Sequence, residues 1–423
     1  MKKARKPQPE GWMTLRHERR DYGFYMIGQN IIYEFVSSYL VTYMLMYGIT
    51  PMKTASAMLA VKVWDAVNDV LFGGIFDKVK WKKQVKFLPW LRYSLLFIIL
   101  ATVLMFSIPS GFTEGRKLIW FVVAYILWDT AYTLCDVPIY GIVTTMTSDL
   151  NERTTIMSHS RIYAALGAGL AMAFGSVLVS RNVGMSYMTV SIISGVIAML
   201  TMLPISIRGK ERNYTAQDQE QEFSLGEMMR YLFSNKYLLI FFGAYLISHA
   251  LGTTQVLGMF ASFYLFGNEM FNLVLMGLSV IPGLFLAILS PRILQKVDKY
   301  KLFFYSNIAS AAMGFLIYMV GYENKFLFIV LTVLRGLPDA TILFLVFMFT
   351  PDCAEYGKFK TGTDARGITF AMQTFSAKMT GALGSSVGVF VLGLFGWKEV
   401  KAESFAELVT LTDQGFRQST QAI

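Results

Sequence analysis

LAVKVWDAVNDVLFGGIF, Leu59 to Phe76, is apolar enough to cross a bilayer yet carries two carboxylates, Asp65 and Asp69. Charges at that depth are costly, and where they are kept they usually serve a function. Residues four apart share one helix face, and Asn68, three from Asp65, adds a neutral oxygen donor beside them. The pattern suits a cation cage. Two carboxylates about 6 Å apart, at an effective dielectric of about 20, repel by roughly 3 kcal/mol, and a bound cation relieves that repulsion. Coordination of Na⁺ and protonation would both do so, which leaves Asp65 and Asp69 as candidate ligands of either ion.

The rest of the chain is of the same kind. Hydrophobic residues make up 54% of it and charged residues 16%, against about 25% charged in an ordinary globular domain. Apolar runs long enough to cross a hydrocarbon core of about 30 Å recur at about 23–48, 54–76, 88–109, 118–146, 155–180, 185–207, 236–266, 270–292, 301–321, 325–350 and 368–397. The fold class is therefore an all-α polytopic membrane protein with about 11 spanning helices. The expected organisation is a cytoplasmic segment 1–22, a six-helix bundle 23–207, a central loop 208–235, a five-helix bundle 236–397 and a polar tail 398–423. Met1 to Asp21 lacks the apolar core of a signal peptide, so insertion by the first helix is expected.

A net charge of +10 raises the question of nucleic acid, but the basic residues lie in short loops rather than on one soluble face. Arg16, Arg19 and Arg20 precede the first helix, Lys78 to Lys86 follow the second, and Arg208, Lys210 and Arg212 follow the sixth. The alternate loops hold little beyond Lys53, Arg116, Lys117, Arg181 and Lys325. This bias implies a multi-pass protein of the cell membrane with a cytoplasmic N-terminus, embedded in the lipid bilayer and without a nucleic-acid partner. Cys135 and Cys353, the only cysteines, offer no disulfide framework and read as packing thiols. The three histidines are far apart and no nucleophile triad or two-histidine metal motif is present, so an enzyme is not expected, nor any cofactor beyond a coupling ion.

An echo across the midpoint suggests repeated halves: GGIFDKVKWKK after the second helix and PRILQKVDKYK after the eighth. WDAVND with GGIFDKVKWKKQVKFLPW after it, YILWDTAYTLCDVP in the fourth helix, SRIYAA in the fifth and AMQTFSAK in the eleventh together resemble the glycoside-pentoside-hexuronide:cation symporters, whose fold is that of the major facilitator superfamily. The resemblance runs in order from about Tyr22 to Trp397. It implies two pseudo-symmetric six-helix bundles and cation-coupled symport of a sugar or glycoside, with the chain working as a monomer. It also implies that Asp65, Asn68, Asp69 and Thr133 surround the coupling ion, Na⁺ or H⁺. The sugar pocket it implies takes in Tyr132, Asp136, Tyr140, Arg161, Gln373, Thr374 and Lys378.

Some positions depart from the family. Asn30 stands where the melibiose carrier has a sugar-binding acid, and Glu34, one turn on along the same face, could replace it. Tyr140 and Leu343 stand at tryptophan positions, which argues against melibiose itself. Asp129 lies outside the family pattern and reads as a partner of Lys62 or a nearby arginine, whereas Arg335 and Asp339, one turn apart, read as a structural pair. After Trp397 the family would continue into a twelfth helix, but the segment here is polar, and alternation places it outside. A related carrier for a lipid, drug or other amphiphile is the alternative reading.

Overall fold

A computed structural model describes residues 12–79, 81, 85–212, 230, 233–250, 254–361, 376, 379–380, 383–384, 386–416 and 418. In chain order its helices are α1 Arg16–Met46, α2 Pro51–Lys78, α3 Leu88–Met105, α4 Glu114–Met146, α5 Leu150–Ala173, α6 Tyr187–Arg208, α7 Lys236–Ala250, α8 Thr254–Phe266, α9 Phe271–Leu294, α10 Lys299–Val320, α11 Lys325–Thr361 and α12 Phe405–Asp413. Among the described residues there is no strand, only an isolated bridge between Tyr47 and Lys401. Among the described residues six segments are long and apolar enough to span a membrane: Leu88–Met105, Glu114–Met146, Asn151–Leu178, Tyr187–Arg208, Lys299–Val320 and Lys325–Val346. The expected spans 236–266 and 368–397 fall partly outside the described residues, as does most of the central loop.

The chain divides into two compact units: Met1–Glu220 with Gly393–Ser419, and Gln221–Leu392 with Thr420–Ile423. In the first, α1 packs chiefly on α5 and α6, α3 on α4 and α6, and α2 on α4. Small residues set these distances, because without Cβ atoms the backbones approach closely. A Cβ on Gly28 would lie 2.7 Å from the Ala198 carbonyl oxygen on α6, and one on Gly23 would lie 2.6 Å from the Tyr163 ring on α5. Where α5 ends, Phe174–Leu178 winds as a π-helical turn. The Tyr39 hydroxyl donates to the Met172 carbonyl at 2.7 Å. That carbonyl is the acceptor an α-helical Ser176 amide would use, so the ladder widens there.

Charge holds the first unit together at the starting end of α1. Arg19 meets the fully buried Glu152 side chain at 3.1 Å, Arg212 meets Glu18 at 2.9 Å and Arg208 meets Asp21 at 2.9 Å. Glu211 accepts the backbone N–H groups of Lys86, Phe87 and Leu88 at 2.8–3.0 Å, supplying acceptors to the otherwise unsatisfied amides at the start of α3.

At the far end of α1 the segment read as a polar tail is anchored to the same unit. The Ala402 amide donates to the Met46 carbonyl at 2.8 Å, and the Phe405 amide to the Val179 carbonyl at 3.3 Å. Phe405 and Leu408 on one face of α12 are fully buried. Ser404 caps this helix by accepting the Glu407 amide at 3.4 Å.

In the second unit α11 packs on α10 and α9. Arg335 and Asp339 do form the expected pair, 3.5 Å apart, with Ser310 also donating to Asp339.

Candidate cation and substrate site

The site is built from α1, α2 and α4. Helix α4 contributes two faces. Phe121, Tyr125, Trp128 and Tyr132 recur at spacings of four, three and four, so their rings climb one side of the helix. Trp128 and Tyr132 stack with centroids 5.2 Å apart and 15° between planes, and Trp128 is fixed by donating to Thr102 at 3.1 Å. The polar stripe of Asp129, Thr133 and Asp136 follows a different line.

Thr133 and Asp129 meet α2. The fully buried Asn68 donates through Nδ2 to Thr133 Oγ1 at 2.8 Å, and its Oδ1 accepts from Thr130 at 3.4 Å. Thr133 in turn donates to the Asp129 carbonyl at 3.0 Å. This satisfies a polar junction that would otherwise cost several kcal/mol in an apolar setting. Lys62, one turn before Asp65 on α2, lies 3.4 Å from it and 5.7 Å from the centroid of the Tyr125 ring. Lys62 thus pairs with Asp65, a neighbour on the same helix face. Asp65 is half-buried. Asp69 is described only as part of the α2 backbone, and its side chain lies outside the described residues.

Asp136 meets α1 instead. Gln29 Nε2 donates to Asp136 Oδ1 at 2.5 Å, and Gln29 is almost fully buried. Two residues beyond Asp136, Pro138 has no amide hydrogen to offer the Leu134 carbonyl, and on this turn the Tyr25 hydroxyl reaches the Cys135 carbonyl at 3.3 Å. Asn30, the position matched to the sugar-binding acid, turns its amide back onto its own helix, donating to the Met26 carbonyl at 2.8 Å. Its neighbour Gln29 makes the contact with Asp136. Tyr140 and the exposed Arg161 lie within electrostatic reach of each other and Asp136. Glu34 is half-buried. Gln373, Thr374 and Lys378 lie outside the described residues.

Tyr33 links the two groups. Its ring packs 5.2 Å from that of Tyr132 and remains 41% exposed, while Lys62, Glu34, Asp65 and Asp136 all act on it electrostatically. Neither Gln29 nor Tyr33 stood out in the sequence. Their signal was that each immediately precedes a position singled out, Asn30 and Glu34, and that they lie one turn apart on a neighbouring face of α1. Among the described residues no cluster of three or more His, Cys, Asp or Glu side chains could hold a transition metal. The junction itself holds an amide and a hydroxyl, with the Asp65 carboxylate one turn away on α2, and the oxygens of such groups are hard donors.

The MFS/sugar transport protein family profile matches residues 21–413. The chain belongs to this family. It is a membrane transporter rather than an enzyme, with the major facilitator fold, and the resemblance to glycoside-pentoside-hexuronide:cation symporters read from the motifs is borne out. It is 25% identical over 398 residues to "Uncharacterized symporter YnaJ" of Bacillus subtilis (strain 168), covering 90% of this chain and 83% of the relative. It is 25% identical over 399 residues to the "Isoprimeverose transporter" of Lactiplantibacillus pentosus, covering 92% and 82%. The crystal structure of the nucleoside transporter NupG superposes with a TM-score of 0.69 at 14% identity, covering 95% of this chain and all of that one, a likeness of fold.

Proposed function

We propose that the chain is a secondary active transporter of the cell membrane, with its N-terminus in the cytoplasm, coupling Na⁺ or H⁺ to the symport of a sugar or glycoside by alternating access. The observation that carries this reading is the buried junction of Asn68 with Thr133, flanked by the Lys62–Asp65 pair and set one helix turn from Asp136. Bringing ion ligands and a substrate-facing carboxylate onto one helix gives the ion a direct hold on the sugar pocket. An ion entering beside Asp65 competes with the Lys62 ammonium. It gains Thr133 and Asn68 as oxygen ligands once the Asn68 amide turns its Oδ1 inward. A change at Thr133 travels one turn along α4 to Asp136. The names of the two relatives support a sugar-like cargo and symport.

The test is ligand-induced thermal stabilisation of the purified protein with methyl glycosides, pentosides and lysolipids, each with and without Na⁺ and at two pH values. A glycoside or pentoside should stabilise more with the coupling ion present. Stabilisation by lysolipids alone would contradict the reading and favour an amphiphile carrier.

A further inference from the structure

The first unit holds a cavity far from Asp136. It lies where α1 and α3 end and α6 begins, at the opposite end of α1 from the ion pairs around Glu152. Its volume is about 230 Å³, below the roughly 300–1,000 Å³ of pockets for drug-sized ligands, so it suits a single small ring.

Its walls are aromatic and rigid. Tyr43 packs against Tyr47, Phe106 and Tyr187 with centroids 4.8, 5.2 and 5.8 Å away, and Phe106 lies nearly parallel to Tyr187. The Tyr43 hydroxyl accepts the Ile108 amide at 2.9 Å, which fixes the turn after α3. The polar lining consists of one carboxylate and the hydroxyls of serines and tyrosines. Glu403, brought in by the docked tail, takes a hydrogen bond from the Tyr47 hydroxyl at 3.4 Å. Ser107 spends its hydrogen on the Leu104 carbonyl at 2.9 Å, which leaves its oxygen as an acceptor.

Charge narrows the ligand class. Lys117 donates to the Tyr47 carbonyl at 2.7 Å and sits 5.5 Å from the Tyr47 ring centroid, so the Tyr47 ring already has a cation beside it. Glu403 repels an anion. Aromatic walls with carboxylate and hydroxyl acceptors are left to a neutral, hydroxyl-rich ring.

We propose that this cavity is a second glycoside site, holding one pyranose ring of a neutral sugar on the Tyr43–Tyr187 cluster with Glu403 accepting its hydroxyls. Given a cytoplasmic N-terminus it opens on the outer face, where it would hold sugar before transport. Its ligand class follows from its own lining, so it is testable apart from the transport site.

The test uses the full chain in nanodiscs, with Cys135 and Cys353 replaced by serine and a bimane fluorophore on M188C, at the 43% exposed rim residue. Methyl β-D-glucopyranoside and methyl α-D-galactopyranoside are titrated. At least one should give a saturable signal, kept in Asp136→Asn and weakened at least tenfold in Glu403→Gln. Ser107→Val, on the wall away from the tail, should weaken it similarly, which loss of tail docking alone would not explain. No saturable signal, a signal lost in Asp136→Asn, or one with unchanged midpoint in both Glu403→Gln and Ser107→Val would overturn the proposal. A saturable rim signal in a protein that transports no glycoside would leave the second site standing and remove the transport reading.

Discussion

If Asp136 receives the sugar as proposed, Gln29 holds it in position, and a double-mutant cycle measures that coupling. The pair is 2.5 Å apart, and one member is almost fully buried. A hydrogen bond to a charged group in such a place is worth about 1.5–3 kcal/mol. Gln29→Leu removes the donor at similar volume and leaves the carboxylate free to turn, so glycoside affinity should fall by about ten- to a hundredfold. Asp136→Asn removes the charge by itself. If the two residues act as one unit, the double variant should bind little worse than Asp136→Asn alone, giving a coupling energy above about 1 kcal/mol. Isothermal titration of the four proteins with the best glycoside provides the numbers, and thermal melts check that all four are folded. Additive losses would refute the idea that Gln29 works through Asp136, and tighter binding by Gln29→Leu would show that the amide competes with substrate.

Two other outcomes test packing and local electrostatics. Gly28→Ala puts a methyl 2.7 Å from the Ala198 carbonyl and should lower the melting temperature, at a cost of about 1–3 kcal/mol for overpacking. Gly169→Ala, with open space at that point, should leave the melting temperature unchanged or raise it. The Cys353 thiol, in the part of α11 beyond its apolar span, is pushed up to about 11 by burial and by the Asp352 carboxylate, with Lys299 opposing. The thiolate is the reactive form, so in a Cys135→Ser background alkylation at pH 8 should run about two hundredfold slower than for a free thiol of pKa about 8.5. It should keep accelerating up to about pH 11. A plateau near pH 9 would contradict that environment.

Much of the first unit was legible because lipid imposes simple rules. Long apolar runs mark α3, α4 and α6, and the cost of intramembrane charge singles out Asp65 and Asp69. The Asn68–Thr133 contact between helices was readable through family motifs rather than spacing, since no single-helix pattern says which face of α4 meets α2. For the same reason Gln29 was passed over in favour of Asn30. Adjacent residues on a helix point about 100° apart, and only the rotation of α1 against α4 decides which one reaches Asp136. The polar composition after Trp397 hid α12, although Ser404 and Glu407 stand at capping-box spacing and Phe405 and Leu408 share a face. The π-helical turn at Phe174–Leu178 left no local trace, because its apparent cause is Tyr39 on another helix.

The most direct measurement of coupling is accumulation of a radiolabelled glycoside in proteoliposomes under an imposed inward Na⁺ or H⁺ gradient, comparing the wild type with Asp65→Asn and Asp69→Asn. One of the two gradients should drive wild-type accumulation above equilibrium. The variants should lose gradient-driven accumulation while still exchanging substrate across the membrane. Undiminished uphill accumulation in both variants would contradict a coupling site on α2.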